Sequence, residues 1–231
     1  MSIQPPSKYK IAIDGPAASG KSTTARRVAR QLGYLYIDTG AMYRALTYYV
    51  IREHIDINRE AKIVALAERL DIQLLPKEDG LHTWVNDRDI SAEIRLPQVD
   101  EVISIISAYQ GVRKIMVEKQ RRIAAAGGVV MDGRDIGTIV LPDAQIKIFM
   151  KASLKERARR RFEELRARGL KIALSTIKKD IQQRDRLDSS RSISPLKPAP
   201  DAHTIDTSRL SIEEQVEKVL KIFHQKRSGN I

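Results

Sequence analysis

Apolar positions in this chain follow two alternating rhythms. Short, nearly continuous apolar runs lie at Lys10–Asp14, Leu35–Asp38, Val129–Asp132, Ile146–Met150 and His203–Asp206. Such runs are expected of strands buried on both faces. Between most of them, apolar residues recur at helical spacing. Ala25, Val28, Ala29 and Leu32 make one stripe, stopped by Gly33. Ser153 and Glu156 have the spacing of a capping box ahead of Leu154, Ala158, Phe162 and Leu165, with Gly169 beyond. Ser211 and Glu214 repeat that spacing ahead of Val216, Val219, Leu220 and Phe223, a stripe read as core packing. Alternating strands and helices predict an α/β protein: a parallel sheet with helices on both faces. Ligands of such sheets bind beyond the carboxyl ends of the strands, where Gly15, Thr39, Gly133 and Thr207 follow.

Two segments break the rhythm. Asp71 to Ile94 alternates around Asp79-Gly80 and Asn86-Asp87, which read as hairpin turns. It predicts a small antiparallel sheet inserted between the second and third core strands. Lys151 to Arg191 reads as an arginine-rich helical pair of low apolar density, expected to act as a mobile flap. No internal repeat or low-complexity tract is visible.

Composition narrows the class. With 231 residues, 42% apolar and 30% charged, the chain suits one globular core with small lobes. No apolar run approaches the ~18–20 residues of a membrane span. Met1–Lys8, with Pro5 and Pro6, does not read as a signal peptide. The absence of cysteine excludes disulfides and thiolate metal sites and suits the cytoplasm. The net charge is +12, and Lys151–Arg191 carries 14 Lys or Arg against 6 Asp or Glu. A solvated helical face is the plain reading of that segment. Beside a phosphate-binding loop it becomes a candidate phosphate clamp.

Such a loop is present. Gly15-Pro16-Ala17-Ala18-Ser19-Gly20-Lys21-Ser22 fits G-x-x-x-x-G-K-[ST], between the first strand and a helix, and Thr23 follows it as a further candidate for the phosphates. Backbone N–H groups of a glycine-rich turn can cradle phosphates, aided by the helix N-terminus. Lys21 supplies a cation for the β- and γ-phosphates, and the Ser22 hydroxyl can ligate Mg²⁺. The loop therefore predicts a bound nucleoside triphosphate.

Phosphoryl transfer needs positioning and neutralisation of charge more than covalent chemistry. Asp132 at a strand end can hold Mg²⁺ opposite Ser22, or simply form a turn; Asp14 competes for the same work. Thr39 reads as the N-cap of a helix in which Arg44 lies just over one turn along. An arginine there opposes the helix dipole and needs another partner, either an acceptor phosphate or a salt bridge. Arg134 and Asp135 follow the third strand directly. Arg184, Asp188 and Arg191 share one face if their helix continues, either as a salt-bridge ladder or as a nucleotide contact.

Taken together, Ile11 to Thr23, Asp38 to Arg44, Gly111-Val112-Arg113, Asp132 to Thr138 (DGRDIGT), Pro142-Asp143-Ala144 and Arg184 through Pro195-Leu196 to Asp201-Ala202 resemble bacterial-type cytidylate kinase. The motifs span nearly the whole chain in the family's order. The resemblance implies the nucleoside monophosphate kinase fold in a single P-loop domain. Its five-stranded core would comprise residues 8–38, 112–150 and 192–225, with an acceptor lobe at 39–111 and a lid at 151–191. It implies ATP + CMP giving ADP + CDP, with dCMP also used and Mg²⁺ required. It puts Ser104, Arg113 and Asp135 on the cytosine, and Arg184 and Asp188 on the ribose. Arg44, Arg134 and Arg191 would hold the acceptor phosphate. Thr39 and Tyr43 would lie in the same CMP site, and Lys21, Arg134, Asp135, Arg157 and Arg161 would be the catalytic residues, with Arg157 and Arg161 closing over the transferring group. The choice of base has a physical reason. Cytosine presents an amino donor to Asp135 where uracil presents an oxygen, and a mispaired buried group is costly.

Another kinase of the same fold, for AMP, UMP, shikimate or a sugar acid, is the nearest alternative. A basic nucleic-acid-binding protein switched by ATP is a more distant one, because at 5% aromatic content there are few bases' worth of stacking partners. Neither nucleic acid nor membrane is expected as a partner, and a monomer is.

Overall fold

The structure, a computed structural model, describes residues 8–77, 80–191 and 193–229. Asp79, Pro5 and Pro6 lie outside the described residues. In chain order the elements are β1 (Lys10–Asp14), α1 (Lys21–Leu32), β2 (Leu35–Asp38), α2 (Thr39–Arg52), α3 (Glu60–Arg69), β3 (Ile72–Lys77), β4 (Gly80–Val85), β5 (Arg88–Asp89), α4 (Pro97–Ile106), α5 (Gln110–Ile123), β6 (Val129–Gly133), β7 (Ile146–Lys151), α6 (Leu154–Ala167), α7 (Leu174–Ser190), β8 (His203–Asp206) and α8 (Ile212–Arg227). They fall into two compact units. One is formed by the chain up to Tyr36 together with Ala126 onward, the other by Ile37–Ala125.

The first unit is built on a five-stranded parallel sheet ordered β2-β6-β1-β7-β8. All five strands form where the apolar runs are; β6 and β7 each extend one residue further. β1 is central. It pairs in parallel with β6, from Lys10↔Val129 to Asp14↔Gly133, and with β7, from Ile11↔Ile146 to Asp14↔Phe149. This register brings the ends of β1 and β6 level, so the residues that follow them share one edge of the sheet. Ile11, Ile13, Val130, Ile146, Ile148 and Met150 pack against Ala25, Val28 and Ala29 of α1 and Val216, Val219 and Phe223 of α8. Tyr9 and Tyr34 set their edges against the Phe223 ring, at centroid separations of 5.6 and 6.0 Å. α8 starts with a complete capping box between Ser211 and Glu214.

The helical pair α6 and α7 belongs to this unit. It has a small core of its own, Ala158, Leu165, Ile177 and Ile181, flanked by Leu154, Phe162, Leu170 and Ile172. Two expectations change here. Ser153 caps α6 by accepting from the Glu156 amide, but the reciprocal half of the box is missing. The Glu156 carboxylate takes Arg159 and Arg160 instead, and the Ser153 amide donates to Ser208 Oγ. A charge-assisted bond outcompetes a neutral amide for that carboxylate. At the other end, α7 stops at Ser190, and Arg191 has extended backbone, φ −58° and ψ 132°. Arg184, Asp188 and Arg191 therefore do not lie along one continuous helix.

In the second unit, α2 packs on α4, and α3 on α5. Ile72 and Leu74 of β3 are buried while Gln73 and Leu75 are exposed, the period-two pattern of a half-buried strand. β3, β4 and β5 form the expected antiparallel sheet. Asn86 and Asp87 both have positive φ, 47° and 65°, as a two-residue primed turn requires.

Phe223 joins α8 to the two tyrosines and to the sheet. Phe223→Ala is expected to lower the unfolding free energy by about 3–5 kcal/mol, measured by urea denaturation. A loss under about 1 kcal/mol would show that the site collapses around the deletion.

Candidate phosphoryl-transfer site

The loop between β1 and α1 is shaped by what touches it. A Cβ on Gly15 would lie 2.2 Å from the Met150 carbonyl oxygen of β7, so only glycine lets the chain turn there. Gly20 has φ 93°, and a Cβ there would meet Gln215 Oε1 at 2.6 Å. Gln215 is fully buried on α8, accepts from Thr24 Oγ1 and donates to the Leu210 carbonyl. Thr207 Oγ1, after β8, donates to the Ser19 carbonyl at 2.9 Å. The loop is thus fixed from behind by β7, β8 and α8. Gly20 caps α1 without a side-chain acceptor, which leaves the cap geometry to suit an anion. Ser19 Oγ is buried and has no hydrogen-bond partner among the described residues. Lys21 is 7% exposed, and its ammonium donates to the Pro16 carbonyl at 3.2 Å, folded back over the loop. Pro16, Ala17 and Ala18 form its half-buried rim, and Thr23 lies in the first turn of α1. Glycine-only approach, an orphaned hydroxyl and a folded-back lysine fit a polyphosphate.

Asp132, the penultimate residue of β6, has both carboxylate oxygens engaged. Ser22 Oγ donates to Oδ2 at 2.7 Å, and Tyr36 Oη to Oδ1 at 2.9 Å. Among the described residues no group of three or more His, Cys, Asp or Glu could hold a metal ion. One carboxylate beside a loop hydroxyl fits the few protein oxygens by which Mg²⁺ is commonly held beside phosphates. Asp14, the competing aspartate, is directed elsewhere. It accepts from the Ile136 amide with Oδ1 and the Gly137 amide with Oδ2, each at 2.8 Å. Burial pushes its pKa up to about 7. The Gly137 and Ile136 amides pull it down, the Asp135 charge raises it, and Lys21 lowers it.

Arg134 and Asp135 follow β6 as expected, and Asp135 is 4% exposed. Arg134 Nε donates to Asp188 Oδ2 at 2.8 Å, Arg191 pairs with Asp188 Oδ1 at 2.7 Å, and Arg184 lies 4.0 Å away. Asp188 is thus the buried hub of a three-arginine cluster, with its two oxygens on Arg134 and Arg191. Burial opposes its ionisation, but Arg134, Arg191 and Arg184 outweigh that and hold it below the ordinary aspartate range.

The arginines of α6 divide. Arg157, 6% exposed, makes a two-pronged pair with Asp185 and reaches the Ala17 carbonyl at 3.4 Å. Arg161 pairs with Glu164 on its own helix. Arg160 was not anticipated. It donates to Thr207 Oγ1 and to the Thr207 carbonyl, and a Cβ on Gly20 would come within 3.4 Å of it. Its position three residues after Arg157, on the same helix face, was the available signal. Thr207 is one of the strand-end residues that the sequence marks, whereas nothing in the sequence pattern points to Tyr36 or Gln215.

In the second unit, the cap of α2 is Asp38, not Thr39. Asp38 Oδ1 accepts from the Ala41 amide at 2.9 Å, and Oδ2 from Arg44 at 3.0 Å. The carboxylate satisfies an amide and a guanidinium together, so Thr39 falls inside the helix as a buried residue. Arg44 has the salt bridge that its position called for, and its Nε is buried without a partner among the described residues. Arg113 is buried, donates to the Ser107 carbonyl and lies 5.7 Å from the Tyr43 ring centroid. Ser104 is half-buried on α4.

A family model described as cytidylate kinase matches residues 11–225. The chain is 48% identical over 219 residues to a cytidylate kinase of Bacillus subtilis, covering 95% of this chain and 98% of that one. It is 51% identical over 219 residues to a cytidylate kinase of Geobacillus kaustophilus, with the same coverage. Among solved structures, an uncharacterized protein from Eubacterium ventriosum aligns over 94% of this chain and 99% of its own, with a TM-score of 0.52 and 13% identity, a likeness of fold alone.

Asp188 generates a pH prediction. Its folded pKa is depressed, so its contribution to stability is complete above the unfolded aspartate range and drains away as pH falls through the lowered value. Asp188→Asn is expected to destabilise the protein at neutral pH by about 3 kcal/mol and to flatten the acid limb of the stability curve. Denaturant titrations from pH 7 to 3 check this; an unaltered acid limb would show that Asp188 does not govern it.

Proposed function

Because the chain belongs to the cytidylate kinase family, we propose that it transfers the γ-phosphoryl group of ATP to CMP, giving ADP and CDP. The observation that carries this reading is the edge where β1 and β6 end level. A phosphate loop with an inward lysine sits there beside the Ser22–Asp132 pair and the Arg134–Asp188–Arg191 cluster. A switch needs only the first of these. A transferase also needs cations for a second phosphate, and this edge supplies them.

The roles follow from the chemistry of each group. Loop amides and Lys21 bind the donor's β- and γ-phosphates, and Lys21 must leave the Pro16 carbonyl to do so. Arg157, anchored by Asp185 against the loop, neutralises charge on the group in transit, with Arg161 as a second lid cation. Arg134 and Arg191 hold the acceptor phosphate, and Arg184 and Asp188 the ribose. In the second unit Arg44 is assigned to the acceptor phosphate, Arg113 and Ser104 to the base, and Thr39 and Tyr43 to the same CMP site. Asp135 accepts from the cytosine amino group. Ser22 and Asp132 would hold Mg²⁺, whose charge would offset that of the donor phosphates. An ionised phosphate oxygen of CMP is the nucleophile: it bonds in line to the γ-phosphorus as the bond to the oxygen bridging the β- and γ-phosphorus atoms breaks and ADP leaves, so no covalent enzyme intermediate is needed. dCMP is the expected second acceptor. No helix among the described residues is long and apolar enough to cross a membrane. A cytoplasmic location, which the cysteine-free composition suits, and a monomeric state are part of the proposal.

The test is an acceptor panel with ATP and Mg²⁺: CMP, dCMP, UMP, AMP and shikimate, followed by ADP release. CMP is expected to give the highest kcat/KM. Faster turnover of UMP, AMP or shikimate would overturn the reading. Lys21→Ala is expected to lower kcat by at least about a hundredfold while the melting temperature holds; a loss of less than about tenfold would remove Lys21 from the chemistry.

A further inference from the structure

Asp14 ends β1 one residue before the phosphate loop, is 4% exposed, and has no role in the chemistry assigned above. Its two oxygens are divided between consecutive amides, Ile136 on Oδ1 and Gly137 on Oδ2. These are the two amides that follow Asp135. On their far side, the chain winds one turn of π-type helix over Ile136–Val140, in which the Asp135 carbonyl accepts from Ile139 at 2.9 Å and Val140 at 3.2 Å. Such turns recur at functional sites.

The choice of side chain is informative. Each of the two adjacent N–H donors takes its own oxygen, an arrangement that a short carboxylate can offer and asparagine, with one oxygen and one NH₂ donor, cannot. A carboxylate here is also buried and close enough to Asp135 to feel its charge, an arrangement unfavourable unless the hydrogen bonds are needed. Gly137 makes the contact possible. A Cβ there would lie 3.3 Å from the Lys147 stem and 3.4 Å from Asp14 Oδ2. Lys147 is itself buried and tied to Asp201. The turn after Asp135 is thus seated between a carboxylate and a lysine stem.

From this geometry we infer that Asp14 is a positioning residue for acceptor selection: by clamping the Ile136 and Gly137 amides it fixes where the Asp135 carboxylate points. It also ties the strand that leads into the donor loop to the turn that reads the base. The inference rests on Asp135 being the group that recognises cytosine.

The experiment compares wild type, Asp14→Asn and Asp135→Asn, measuring kcat and KM for ATP, CMP and UMP and the melting temperature. Asp14→Asn is expected to lower the CMP-over-UMP ratio of kcat/KM about tenfold, the scale of one lost buried hydrogen bond. The loss falls mainly on KM for CMP, and KM for ATP stays within about twofold. A ratio that holds within about twofold, whatever happens to the melting temperature, would reduce Asp14 to a structural residue and overturn the inference. If Asp135→Asn leaves the ratio unchanged, the reading of Asp135 fails and takes the inference with it. If Asp135→Asn abolishes the preference while Asp14→Asn keeps it, only the inference fails. Should Asp14→Asn not fold, Gly137→Ala disturbs the same clamp from the other side; it is expected to lower the ratio about threefold, and an unchanged ratio overturns the inference.

Discussion

A site for two phosphorylated ligands must gather cations that repel one another, and this constraint shapes the first unit. Arg134, Arg184 and Arg191 converge within reach of a single carboxylate, Asp188, and Arg157 is held by Asp185. Two like charges 4 Å apart interact with ~4 kcal/mol at the effective dielectric of a protein surface. Without the two aspartates the cluster would splay into solvent. With them, each guanidinium is aimed by a carboxylate whose geometry resembles that of a phosphate. The aspartates therefore keep the arginines gathered, and they come from one helix, α7, whose main apolar contacts are with α6. The α6–α7 pair is a frame for counter-ions.

The donor loop answers a different constraint, close backbone approach. Gly15 turns against the end of β7, Gly20 against Gln215 of α8, and the Ser19 carbonyl is held by Thr207 beyond β8. Three elements that are far apart in sequence thus set the curvature of one short loop. Arg160 joins the same cluster through Thr207, which links the first turns of α6 to the back of the loop. The chemistry-bearing face of the loop is left to its amides and to Lys21.

Much of this was legible beforehand. The five strands, the stripe of α1, the box and stripe of α8 and the antiparallel insert all formed where the apolar periodicity put them, because burial of those faces is a local consequence of spacing. The loop motif was legible because its glycines answer to backbone geometry that few sequences need. The exceptions share one cause. Thr39 was read as a cap from its residue type, but Asp38 could satisfy an amide and Arg44 together. Glu156 was read as half of a capping box, but two arginines competed for it successfully. Arg191 was placed on a helix that ends one residue earlier. In each case a charged group chose its partner by distance and strength, which residue spacing does not encode.

By itself, then, the sequence determined which segments must be buried and which turn must be glycine, since both follow from hydrophobic period and backbone sterics. It also carried the motifs that mark the cytidylate kinase family across nearly the whole chain. Which of two aspartates stands by Ser22 was left to tertiary structure. Asp14 is the last residue of β1 and Asp132 the next to last of neighbouring β6, and the two look alike in sequence, yet the parallel register turns one onto the amides after Asp135 and the other onto Ser22 and Tyr36. The physical reason is that a buried carboxylate takes whichever donors the fold brings within hydrogen-bond reach, and those donors lie more than a hundred residues away along the chain for every bond but Tyr36's, which spans 96.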